Sequence, residues 1–128
     1  MKIFLVSVFV NDQEKALRFY TEKLGFVKKQ DLPVGDYRWL TVVQAEGHKD
    51  VELVLEPNDN QAARSYQDEM HSQGIPLATF AVEDLDAEFD RLKGLGVKFP
   101  MKPTQSGDIR IAVLDDKVGN LIQLVEKP

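Results

Sequence analysis

The stretch that decides the fold is Lys2–Phe26, KIFLVSVFVNDQEKALRFYTEKLGF, because it returns in altered form at Leu77–Phe99, LATFAVEDLDAEFDRLKGLGVKF. In the first copy an apolar run ends at Val10. Asn11-Asp12 then opens a helical pattern carrying Ala16, Leu17, Phe19, Tyr20 and Leu24, and Leu24-Gly25-Phe26 closes it. In the second copy the run ends at Val82, Glu83-Asp84 opens the helix with Leu85, Phe89 and Leu92, and Leu95-Gly96-Val97 leaves it. Val10 aligns with Val82, Asp12 with Asp84, Leu17 with Phe89 and Tyr20 with Leu92. The register then slips by one residue before the Leu-Gly pair. Asn11 with Glu14 has the spacing of a capping box. Gly25 offers the positive φ of a helix C-terminal cap.

Outward from each copy the same series follows. Lys2–Val10 reads as a strand buried on both faces, Phe26–Gln30 as a short strand and Pro33–Asp36 as a break. Tyr37–Gln44 and Val51–Glu56 read as strands around a turn at Glu46–Lys49. After the second helix come a short strand at Val97–Pro100, a loop at Pro103–Gly107, and strands at Ile109–Leu114 and Leu121–Glu126. Asp115-Asp116 and Gly119-Asn120 supply hairpin chemistry between those two strands. A helix over Gln61–Gln73, with Ala62, Tyr66 and Met70 on one stripe, lies outside the repeat. The expected organisation is a single 128-residue domain of two βαβββ modules, about 1–57 and 76–128, joined by a helical linker over about 58–75. The fold class is α+β, with curled mixed sheets, helices outside and a cleft where the sheets pair.

Bulk properties narrow the function. A net charge of −5 argues against a nucleic-acid partner. No apolar run reaches membrane-spanning length and no signal-peptide layout begins the chain, which predicts a cytoplasmic protein with no membrane partner. The absence of cysteine excludes disulfides, a thiol nucleophile and Cys-based zinc sites. No Ser, His and acid grouping has a recognisable spacing, and no phosphate-binding glycine motif occurs. His48 falls in a turn and His71 at a helix end.

The doubled pattern, with Phe19-Tyr20, Leu24-Gly25-Phe26, the echo at Asp84 and the closing Asp115-Asp116…Gly119-Asn120-Leu121-Ile122-Gln123-Leu124, resembles the vicinal oxygen chelate superfamily over the whole chain. That superfamily contains glyoxalase I, extradiol dioxygenases, and the bleomycin and fosfomycin resistance proteins; small bacterial members are the nearest in kind. The resemblance implies four cleft-facing ligand positions in metal-dependent members. Counting back from Asp12 and Asp84 puts two of them on Leu5 and Leu77, which have no donor atom. The others fall on Glu52, with Glu56 as an alternative, and on Gln123. No metal cofactor is therefore expected; the alternative is a divalent ion held through Glu52 and Gln123.

Strand parity finds the same face without the family. It sets Ser7, Glu52, Thr79 and Gln123 among Leu5, Phe9, Val54, Leu77, Ala81 and Val125, opposite the helix-facing residues. A few polar groups on an apolar wall suit a small-molecule pocket. Trp39 or its neighbour Arg38 shares that face: the first would stack on a planar ligand, the second would favour an anion. The expected ligand-binding residues are Leu5, Ser7, Trp39, Glu52, Leu77, Thr79 and Gln123; no catalytic residue is assigned. The expected function is a metal-free, small-molecule binding protein acting as a homodimer on a small organic partner. The alternative is a metal-dependent lyase or dioxygenase, and a third possibility is a domain with a vestigial pocket.

Overall fold

Two aspartates begin the two repeated helices. In the computed structural model, which describes residues 1–127, Asp12 and Asp84 each adopt extended backbone and cap the following helix through the side chain. Asp12 Oδ1 accepts from the Lys15 amide, and Asp84 Oδ1 from the Ala87 amide, both at 3.0 Å. The first cap is thus Asp12 and not Asn11. A carboxylate there also complements the positive end of the helix.

The chain divides after Tyr66 into two units. The first contains β1 (Leu5–Val10), α1 (Gln13–Arg18), β2 (Val27–Val34), β3 (Tyr37–Val43) and β4 (Glu52–Pro57). The helix α2 (Gln61–Ser72) follows. The second contains β5 (Ala78–Val82), α3 (Leu85–Gly94), β6 (Met101–Ser106), β7 (Ile109–Asp115) and β8 (Leu121–Glu126). Each unit has a four-stranded mixed sheet, ordered β1-β4-β3-β2 and β5-β8-β7-β6, in which only the pairs β1–β4 and β5–β8 are parallel. In each, one helix covers one face of the sheet. Under α1 lie Val8, Val10, Leu40, Val42, Leu53 and Leu55; under α3 lie Ala112, Leu114, Ile122 and Leu124. All are buried.

The one-residue slip between the repeats has a structural cause. Gly25 lies thirteen residues beyond Asp12 and Gly96 twelve beyond Asp84. The extra residue is taken up where α1 continues into a π-helical turn, Phe19–Lys23, in which the Leu24 amide bonds the Phe19 carbonyl five residues back. In α3 the equivalent Leu95 amide bonds Arg91, four back. Both helices then leave through a glycine of positive φ, Gly25 at 86° and Gly96 at 84°.

Four sequence readings are corrected. β1 is a sheet edge and is not buried on both faces: Val6 is 46% exposed and Ser7 is exposed, and β5, the edge of the other sheet, likewise leaves Thr79 and Ala81 exposed. β2 runs on through Pro33 to Val34, so the break falls at Gly35-Asp36. The sixth strand is Met101–Ser106, spanning Pro103, instead of Val97–Pro100 with a loop after it. Both prolines sit in outer strands that also carry a register shift, where a missing N–H is tolerated. In α2 the buried positions are Ala63 and Gln67, while Ala62 and Tyr66 are exposed. Gln67 donates to the Val118 carbonyl at 3.3 Å and to Asn120 Oδ1 at 3.0 Å, anchoring the β7–β8 hairpin.

Candidate functional site

In the first unit the pairings fix which side chains share the face away from α1. Leu5 pairs with Glu52, Ser7 with Val54, Val54 with Thr41, Thr41 with Gln30, and Trp39 with Leu32. Leu5, Ser7, Trp39 and Glu52 therefore lie on one face, as the alternation of the sequence predicts. Trp39, half-buried, is the member of its pair on that face. Arg38 is turned to the helix side. Its guanidinium bonds Asp31 at 2.7 and 2.9 Å and Glu14 of α1 at 3.0 Å, and its amide donates to Gln13.

Glu52 is only 2% exposed and is held by three partners. Oε1 accepts from Gln30 Nε2 at 2.6 Å and from Thr41 Oγ1 at 2.7 Å, and Lys29 Nζ lies 3.6 Å from Oε2. These contacts arise from a bulge. β2 shifts register between Lys28 and Gln30, so Lys29 is extra to the ladder, and both it and Gln30 reach the carboxylate. Hydrogen bonds from Gln30, then Thr41, and the charge of Lys29 outweigh the desolvation of the carboxyl and hold its pKa below the ordinary carboxylate value.

Two strand positions along, the same face holds a hollow of about 250 Å³ walled by Val34, Tyr37, Trp39, Val54, Glu56 and Pro57, with Arg38 at its margin. Ser7 Oγ donates to Glu56 Oε1 at 3.1 Å. Of the two carboxylates on β4, Glu56 lines this hollow, while Glu52 is spent on its sheet neighbours. Tyr37, Val34 and Val54 were not singled out from sequence as ligand-binding. The alternation that put Glu52 and Trp39 on this face carries all three, once β2 is known to extend to Val34. A larger hollow of about 400 Å³ lies beside the start of α1, lined by Asp12, Gln13, Asp36, Asp59 and Arg64 among others. Its Gln13 is committed to the backbone of Arg38 and Leu55.

In the second unit Thr79 pairs with Gln123 and Gln123 with Val113, on the face away from α3. Gln123 Nε2 reaches Thr79 Oγ1 at a long 3.4 Å. Leu77 precedes β5 and bonds the Leu121 carbonyl through its amide. His48 is exposed, and His71 Nε2 lies 3.1 Å from Asp115 Oδ2.

The register also compares the repeats. Ser7 and Thr79 correspond, so the counterpart of Gln123 is Val54, and the counterpart of Glu52 is Leu121. In the first unit Leu5 and Val54 have no donor atom and Glu52 has both oxygens engaged; in the second Leu77 has none and Gln123 has one neutral amide. Among the described residues no group of three His, Cys, Asp or Glu side chains is placed to share an ion. Neither face by itself carries the roughly three protein ligands that a catalytic divalent metal needs.

A fold of paired βαβββ units with a polar-dotted, largely apolar sheet face opposite the helices defines a class. The model of the Glyoxalase/Bleomycin resistance protein/Dioxygenase superfamily matches residues 2–124, and the chain belongs to that superfamily. It is 51% identical to the Bacillus subtilis (strain 168) protein YurT, over 99% of this chain and all of that one. Among solved structures it resembles UcmS2, with a TM-score of 0.85 and 32% identity over 99% of this chain and 98% of that one. It also resembles TnmS3, an antibiotic binding protein from Streptomyces sp. CB03234, with a TM-score of 0.76 and 30% identity over 100% and 97% of the two chains.

Proposed function

We propose that this is a small-molecule binding protein that works without a catalytic metal. Its ligand would lie against the apolar face carrying Leu5, Trp39 and Val54, with Ser7 and Glu56 as polar tethers. The observation that supports this most is the hollow beside Trp39, whose wall is aromatic and aliphatic with one carboxylate; such a composition binds a planar organic molecule by burial and orients it by a single polar contact. The likeness to TnmS3 supports the same reading. Glu52 would serve as a fixed support of the face, since its oxygens are already taken. We further propose a cytoplasmic homodimer, because Leu32, Val34 and Tyr37 leave apolar surface exposed on this face for a second copy to cover.

Trp39 is the sole tryptophan and so reports directly on the site. Titration with the neutral aromatic 9-hydroxymethylanthracene should quench its emission saturably and raise the melting temperature. Val54→Asp should weaken binding about tenfold or more, as a buried charge in an apolar wall requires. Quenching that is unsaturable, or unchanged in Val54→Asp, overturns the site. Dialysis against Zn²⁺, Ni²⁺, Mn²⁺ or Fe²⁺ should leave no stoichiometric metal. Retention that disappears in Gln123→Ala overturns the metal-free reading.

A further inference from the structure

We propose that the second unit carries a separate binding site for a small aromatic anion, in the corner between the end of α3 and the start of β6. A hollow of about 350 Å³ there is lined by Phe89, Lys93, Val97, Lys98, Phe99 and Lys102. Its floor is apolar and tied down by backbone hydrogen bonds. Val97 is buried and its amide bonds the Leu92 carbonyl, while the Lys98 carbonyl accepts from the Asp115 amide at 2.9 Å. Phe89 and Phe99 meet edge to face with centroids 4.8 Å apart, and both rings stay half-exposed to the hollow.

Its rim is cationic. Lys93, Lys98 and Lys102 are exposed, and among the described residues none of them has a carboxylate within ion-pairing distance. Lys93 Nζ rests over the Phe89 ring, 5.5 Å from its centroid. Lys102 lies where β6 shifts register between Met101 and Thr104, so it is released from the ladder. Three ammonium groups thus surround one apolar hollow with no carboxylate among the described residues to pair them. An aromatic anion satisfies both halves of the corner: its ring buries against Phe89 and Phe99, and its charge meets the ammonium rim. The hollow is of the size that takes a one- or two-ring molecule.

The test uses 1-naphthyl phosphate with the ¹⁵N-labelled full chain, followed by amide chemical shifts. Saturable shifts should cluster on residues 89–102 and weaken with added salt. The double variant Lys98→Gln/Lys102→Gln should bind at least about fivefold more weakly, from the loss of two surface charges. In Trp39→Ala the shifts on residues 89–102 should saturate at the same probe concentration, which separates this site from the one proposed above. Naphthalene-methanol and inorganic phosphate should each bind much more weakly than the joined molecule. Shifts confined to the Trp39 face, no saturation at millimolar probe, or equal affinity for either fragment or for the double variant would each overturn the proposal.

Discussion

The two units are built on one plan yet treat the same three positions in opposite ways. In the first, Gln30, Thr41 and Glu52 stand in adjacent strands and close a hydrogen-bonded knot around a buried carboxylate. By strand pairing their counterparts in the second are Met101, Val113 and Leu121, all apolar. One level along, the contrast reverses: Val54 is buried in the first unit, and Gln123 sits half-exposed in the second. A sheet can fill an equivalent site with a satisfied polar network or with hydrocarbon. Either is stable when complete, and a mixture of the two is not.

That contrast predicts the largest effect. Glu52→Ala leaves Gln30 and Thr41 without their acceptor and should cost about 3 kcal/mol in urea unfolding. Gln123→Ala should change stability by less than about 0.5 kcal/mol, since its one bond is long and exposed. The triple exchange Gln30→Met, Thr41→Val, Glu52→Leu copies the second unit's set and should recover most of the single variant's loss. Equal costs for Glu52→Ala and Gln123→Ala would break the comparison.

The same carboxylate predicts a pH dependence. Its hydrogen bonds favour the ionised form, so the folded-state pKa lies below the ordinary 4.5. Between the two values the unfolded chain binds more protons. The stability from Glu52 is thus complete above about pH 4.5 and declines as pH falls through the lowered folded pKa. Urea midpoints between pH 3 and 6 should fall less steeply at the acid end in Glu52→Gln than in the native protein, a range set by the ordinary carboxylate values. Parallel curves would remove Glu52 as the source.

Where the repeats agree, effects should agree. Asp12→Ala and Asp84→Ala should each cost about 1 kcal/mol, because each deletes one side-chain cap of the same geometry. A difference in melting temperature corresponding to more than about 1 kcal/mol would show that the π turn after α1 changes how firmly that helix is held. The smallest effects belong to the edge prolines. Pro33→Thr and Pro103→Thr should each shift stability by less than about 0.5 kcal/mol, because neither position owes the ladder an N–H. A gain well above that would show that an amide is wanted there.

Much of this was legible in the chain. The repeat, seven of the eight strands, the three helices, the Asp84 helix start, and the shared face of Leu5, Ser7, Glu52 and of Thr79, Gln123 all follow from period and spacing. Those signals act over a few residues, and local geometry answers to them. The prolines misled twice for one reason. Whether a proline breaks a strand depends on whether that strand is an edge, and edge position is a property of the assembled sheet. The buried face of α2 was misread because Gln67, a polar residue, is buried by partners at Val118 and Asn120, fifty residues away along the chain.

Sequence by itself determined the doubled βαβββ plan and the superfamily, since each depends only on residue type at a counted spacing. Tertiary structure decided what spacing cannot carry. It turned Trp39 to the open face and Arg38 to Asp31 and Glu14. It enclosed Glu52 instead of presenting it, and matched Gln123 to Val54 in the repeat. Each of these turns on which strand lies beside which and in what register. A shift of one residue there exchanges every inward side chain for an outward one.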